Sequence, residues 1–172
     1  MVSTWLGAIF ARDLRALRRE IEAYPEDRDL WRVAPGITNP AGNLTLHLVG
    51  NLQYFIGTVL GGTGYVRDRE AEFGRRDVPR AELLRQIDAA LAAVAQTMDL
   101  LRDQDLAKPY PQAVGGVKLA TGDLLLHLAA HFTYHLGQVD YHRRLLTGQA
   151  AAGQIRAVVL TELATATPVP KP

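Results

Sequence analysis

Between Pro79 and Arg102 the apolar residues fall at Leu83, Ile87, Leu91, Val94, Met98 and Leu101. The step alternates between four and three, which places them on one side of an α-helix and suits the buried seam of a helical bundle. A stripe that narrow needs other helices to cover it. Three more segments have a similar character. The first runs from about Ser3 to Tyr24, with Trp5, Ile9, Leu14, Leu17 and Ile21 near helical spacing; Ser3 is its candidate cap and Pro25 its stop. The second runs from about Pro40 to Leu60, with Asn39 as a cap, and ends in the run GGTG. The third is the seam itself, with Asp77 as a candidate cap. The fourth runs from about Asp123 to Leu146, with Thr121 as a cap and Gly148 in the left-handed position after its end.

These four segments predict an all-α fold, a four-helix bundle in one domain of residues 1–172, with its core at about 3–148 and an extension at 149–172. At 172 residues and 48% hydrophobic, the chain can bury a sizeable core. The connector between the second and third helices, Gly61 to Val78, is longer than a tight hairpin needs, so it is expected to cross between distant corners. The stretch KPYPQAVGGVKLATG is expected to hold a short extended piece. QIRAVVLTELA should form a last strand or short helix, and TATPVPKP a disordered tail.

The charge balance, 19 basic against 18 acidic residues, gives no nucleic-acid footprint. The arginines at 67, 69, 75 and 76 are interleaved with acids and are expected to form a solvated face. No run approaches a membrane span and no basic leader precedes the first apolar stretch, so a cytoplasmic protein is expected. The chain has no cysteine, which excludes disulfides and thiolate metal sites.

The five histidines are unevenly placed: His127, His131, His135 and His142 in the fourth segment, and His47 alone in the second. Residues four apart on a helix share a face, so either His127 with His131 or His131 with His135 can address one ion. His127 and His135 lie about 80° and about 12 Å apart, so all three cannot. Two ligands are too few for a tight site. His47, set among apolar residues, is the one histidine that another helix can supply. Three imidazoles leave coordination positions open, as in catalytic rather than structural metal sites. Neither His-Glu-x-x-His nor Glu-x-x-His occurs, which removes the metalloprotease and di-iron readings.

The stretch LLLHLAAHFTYHLGQVDYHRRLLTG carries a His-x-x-x-His-x-Gly-Gln pattern at His131, His135, Gly137 and Gln138. With the single histidine of GNLTLHLVGNLQYFIG, it resembles the DinB/YfiT-like family of damage-inducible metalloproteins. The resemblance spans the four segments. It implies an up-down-down-up bundle, metal ligands His47, His131 and His135, a zinc or nickel ion, and a homodimer. It also implies chemistry of the kind seen in transferases and isomerases that use low-molecular-weight thiols such as mycothiol or bacillithiol. His127 then becomes a residue behind the ligands or in a substrate pocket, and His142 a structural one. Asn51 and Asn43, one turn either side of His47, can line the pocket or orient a ligand. Tyr54 and Tyr134 can donate to a small-molecule substrate, Gln138 can hold a neighbouring backbone group, and Asp123 can pair with His127 or face the helix dipole. Trp5 and Trp31 offer area for a dimer. Two functions follow: a metal-dependent thiol transferase, or a non-catalytic metal-stabilised bundle that binds a small molecule or partner in stress.

Overall fold

The computed structural model describes residues 1–148 and 159–167, and all regular structure among them is helical. Six α-helices follow in order: α1 (Val2–Glu22), α2 (Ala41–Leu52), α3 (Arg69–Gly74), α4 (Arg80–Leu100), α5 (Asp103–Leu106) and α6 (Thr121–Thr147). A π-helical segment, Gln53–Thr58, prolongs α2, and 3-10 turns occur at Asp27–Trp31 and Leu160–Glu162. No helix among the described residues is long and apolar enough to cross a membrane.

The periodicity of α4 does what its spacing implies: Leu83, Ile87, Val94 and Met98 are buried, and Leu91 and Leu101 pack against the same core. α1 and α2 each pack against both α4 and α6. Along α1, Gly7 meets the Met98 side chain and Arg18 donates to Asp88 at 3.0 Å. On its other flank, Thr133 of α6 donates to Asp13 at 2.9 Å, and Arg143 donates to Glu20 at 2.6 Å. The Glu20–Arg143 pair is fully enclosed, at 0% and 1% exposure. Such a pair links two helices specifically, and removing one partner would strand a charge in the core. Burial pushes the Glu20 carboxyl up, opposed by the Arg143 hydrogen bond.

α2 is the central element, and every residue from Ala41 to Leu52 is buried. Its glycines permit this. A Cβ on Gly42 would sit 2.6–2.7 Å from the Trp31 ring, and in the π-helical continuation one on Gly57 would lie 3.3 Å from Ala93. Trp31 is therefore core, at 8% exposure, and cannot supply dimer area, whereas Trp5 is exposed.

Four expected caps are not found. α1 starts at Val2, which puts Ser3 inside the first turn, where its N–H and hydroxyl donate to Asp103. Pro40, Pro79 and Ala120 hold the N-cap positions in place of Asn39, Asp77 and Thr121, and none makes a side-chain cap. Asp77 instead adopts φ 55, the left-handed conformation that aspartate tolerates better than most residues. The C-cap of α6 is as expected: Gly148 has φ 66 and its N–H returns to the Arg144 carbonyl.

The connector after α2 is not plain loop. It contains α3, capped by the Asp68 side chain on the Ala71 N–H at 2.9 Å. The linker before α6 has the expected extended piece, as two isolated antiparallel bridges, Pro109 with Ala120 and Val114 with Val117, turning through Gly115 and Gly116. Of the expected last strand or short helix, residues 154–158 lie outside the described ones. The remainder holds the 3-10 turn, whose Glu162 pairs with Arg15 and Arg19. Most of the expected tail, residues 168–172, also lies outside.

Candidate metal centre

α2 and α6 pack side by side, and the middle of their contact is occupied by imidazoles. One ring nitrogen from each of His47, His131 and His135 lies within 4.8 Å of the other two. His47 is buried, and His131 and His135 are half-buried. The spacing of α6 accounts for the pair on one helix, since four residues is one turn. The burial of α2 accounts for the depth of the third.

Two of the ring nitrogens facing away from this cluster, the Nδ1 atoms of His47 and His135, are held. The Nδ1 of His47 is 2.9 Å from Glu72 Oε2, a buried carboxylate on α3. Arg67 donates to both oxygens of Glu72, at 2.6 and 2.8 Å. Burial disfavours the Glu72 charge, but the Arg67 and His47 hydrogen bonds outweigh it and hold the carboxyl below its ordinary range. An ionised carboxylate only accepts, so His47 Nδ1 carries the proton and its Nε2 presents a lone pair. Asn43, also buried, donates to the carbonyls of Glu72 and Arg75 at 2.8 and 3.0 Å and pins the end of α3 in place. Gly50 leaves room for the carboxylate, because a Cβ there would collide with Glu72 Oε1.

His135 is held in the same way. Its Nδ1 lies 2.6 Å from Gln138 Oε1, one turn on. Gln138 thus holds the ring of its neighbour rather than a backbone group. Burial lowers the His135 pKa, and the Gln138 bond opposes this. His131 is lowered to about 4, by burial first and then by the neighbouring His135 and His47. Neutral imidazole is the ligating form, so the ring is ready for a metal at neutral pH.

The cluster passes a test of fit for a cation. The Nε2 atoms of His47 and His131 face each other at 3.2 Å. With His47 Nδ1 protonated, its Nε2 can only accept. A divalent cation among three such nitrogens satisfies all of them at once, which a single proton cannot do.

The other residues singled out from the sequence lie outside the three-nitrogen cluster. His127 is exposed, its ring stacked near His131 at 6.1 Å between centroids. Tyr54 is on the π-helical segment and donates to Gln112 at 3.3 Å. Tyr134 is exposed, with its ring edge against His135. Asn51 is buried. Asp123 is in the first turn of α6, where it complements the helix dipole. His142 is structural: it accepts from the Tyr24 hydroxyl at 2.7 Å through Nδ1 and donates to the Arg32 carbonyl at 2.9 Å through Nε2.

Glu72 and Arg67 are the additions made by the structure. Arg67 is not on a solvated face; its guanidinium is largely enclosed against Glu72. One local signal was available. Asp68 followed by REAEF is a cap followed by an acidic first turn, the start of a short helix that carries Glu72.

A family model, that of the DinB superfamily, matches residues 9–139, which include all four long helices or most of each and all three clustered histidines. No curated protein matches the chain, and no solved structure does.

Proposed function

The chain belongs to the DinB superfamily, and from that membership we propose that His47, His131 and His135 bind one divalent ion, zinc or nickel, in an open site. The observation that carries this is the convergence of three ring nitrogens within 4.8 Å, with the far nitrogens of His47 and His135 held by Glu72 and Gln138. Carboxylate and carbonyl partners of this kind orient ligating histidines and set their tautomers.

The proposed activity is a transfer reaction that joins a low-molecular-weight thiol to a small-molecule electrophile. The chemistry supplied by the ion when bound is acidification of a coordinated thiol or water. The chain's own residues do the rest. Three neutral ligands leave the positive charge undiminished, His47 sits too deep to be displaced by solvent, and the half-exposed His131 and His135 leave an approach. His127 and Tyr54 are the candidates to position the second substrate. With no cysteine in the chain, the sulfur must come from solution.

We also propose the up-down-down-up order for the long helices. It is supported by contacts of the α1 start with the α4 end (Gly7 to Met98), the α1 end with the α6 end (Glu20 to Arg143), and the α2 start with the α6 end, where Leu44 and Leu145 line one cavity. A cytoplasmic homodimer is part of the reading. Leu126, Tyr134, Tyr141 and Leu145 are all exposed along α6 and offer an apolar stripe to a second copy.

The test is a thermal-shift titration of metal-loaded and metal-stripped protein with mycothiol, bacillithiol and glutathione. A thiol at 100 times its dissociation constant should stabilise the loaded protein by about 2.7 kcal/mol and leave the stripped protein unmoved. If no thiol shifts the loaded protein, and a cobalt-substituted sample shows no sulfur ligation, the transferase reading gives way to a non-catalytic metal-stabilised bundle.

A further inference from the structure

Asn51 is 7% exposed, and its Oδ1 is fully buried without a hydrogen-bond partner. A buried amide oxygen left unmet is costly, and water or another group from outside the chain is its usual partner. Neighbouring residues fix the direction of the side chain. On the α2 wheel Gly50 and Asn43 point to α3, where they meet Glu72. His47 lies between that side and α6, touching Glu72 on one flank and His131 on the other. Leu44 faces α6 outright, sharing a cavity with Gln138, Tyr141 and Leu145. At 100° per residue, Asn51 falls between His47 and Leu44 in angle, about 40° from His47, and one turn further along α2. That direction is α6. Because Leu44 meets the α6 end and His47 meets residues 131 and 135, the next turn of α2 reaches the level of His131 and His127.

We propose that Asn51 is the hydrogen-bonding group of the open coordination position: its amide receives a ligand that binds the ion and presents an N–H or O–H donor beside it. The inference rests on the metal reading of the three histidines. It adds a selection rule to that reading. A donor-bearing ligand, such as water, a hydroxamate or a thiol with a neighbouring amide, satisfies Oδ1. An acceptor-only ligand of the same size does not, unless the amide turns over.

The experiment uses full-length protein loaded with cobalt, and acetohydroxamate and acetate as probes. Both are small and bind through oxygen, but only the hydroxamate keeps an N–H. Binding of each is followed by the visible cobalt spectrum, with circular dichroism as a check on folding. Asn51→Leu keeps the volume and removes the acceptor. It should leave cobalt affinity within about threefold, weaken acetohydroxamate about tenfold, which is the worth of one hydrogen bond, and leave acetate within about threefold. Asn51→Asp, which restores an acceptor, should recover hydroxamate binding. If Asn51→Leu does not fold, Asn51→Ala, which also removes the acceptor, carries the same expectation. Equal changes for the two probes, or no change for either, overturn the proposal. Failure of the unsubstituted protein to take up cobalt is a different outcome: it refutes the metal reading itself.

Discussion

His47 can offer a lone pair inward only while something outward holds its proton. That makes Glu72 a residue whose removal should be read at the ion. Glu72→Gln keeps the shape and lets the ring turn or change tautomer. Metal affinity, measured by competition with a chromophoric chelator, should fall about 10–100-fold. His131→Ala should abolish uptake of about one ion per chain in elemental analysis, and His127→Ala should change it little; equal losses would mean that the ligand pair on α6 is the other one. Acidity gives a third expectation at this scale. His131 is lowered to about 4, and burial also lowers His135 and His142, so these rings stay neutral in the folded chain while they protonate near 6.5 once unfolded. Their contribution to stability is therefore complete above the unfolded value near 6.5 and is lost as the pH falls below it, for His131 down to about 4. In chelator, the urea midpoint should drop between pH 7 and pH 5; a flat profile would contradict it. Helical spacing made a histidine pair on α6 legible in the sequence but allowed His127 with His131 as well as His131 with His135; the choice of His135, which the cluster bears out, came from the His-x-x-x-His-x-Gly-Gln resemblance. Glu72 was not legible, because its contact with His47 spans 25 residues and depends on where a connector happens to return.

The helices themselves were legible for a similar reason. Alternating steps of three and four leave one buried face, and burial dominates the energetics of a helix far more than its ends do. The caps were not legible on the same evidence. Each long helix begins at a residue without a side-chain cap, so packing, not Ser, Asn, Asp or Thr, decides where it starts. Two glycines test how closely the elements are fitted. A Cβ at Gly50 would meet the carboxylate of Glu72, which Arg67 and His47 hold in place. Gly50→Ala should therefore weaken metal binding in the same direction as Glu72→Gln while the circular dichroism spectrum stays helical. A Cβ at Gly61 would meet the Thr97 hydroxyl and come 2.8 Å from the Gly57 carbonyl, a backbone atom that cannot rotate away. Gly61→Ala should cost about 1–3 kcal/mol in urea unfolding, the usual range for overpacking, with metal affinity per folded chain unchanged.

For the molecule as a whole, the buried Glu20–Arg143 pair ties α1 to α6, and α6 carries two of the three clustered histidines. Arg143→Ala would leave a carboxylate enclosed without its cation and should destabilise the fold by about 3–5 kcal/mol. The exposed stripe on α6 predicts a particle of twice the chain mass in light scattering; a mass near 18.9 kDa at high concentration would reject the dimer. The cluster has a further consequence, best seen from the polymer's side. His47 and His131 are 84 residues apart, so an ion held by both closes a ring through about half of the chain. In a protein without a single cysteine, it is a reversible staple. Tying a loop of that size in the unfolded chain removes entropy worth about 4–5 kcal/mol, by the relation used for disulfides. An ion that remained attached to both histidines through unfolding would therefore hold the denatured chain compact. Small-angle scattering in urea, with and without metal, should show that difference in radius, and a chelator added after unfolding should release it.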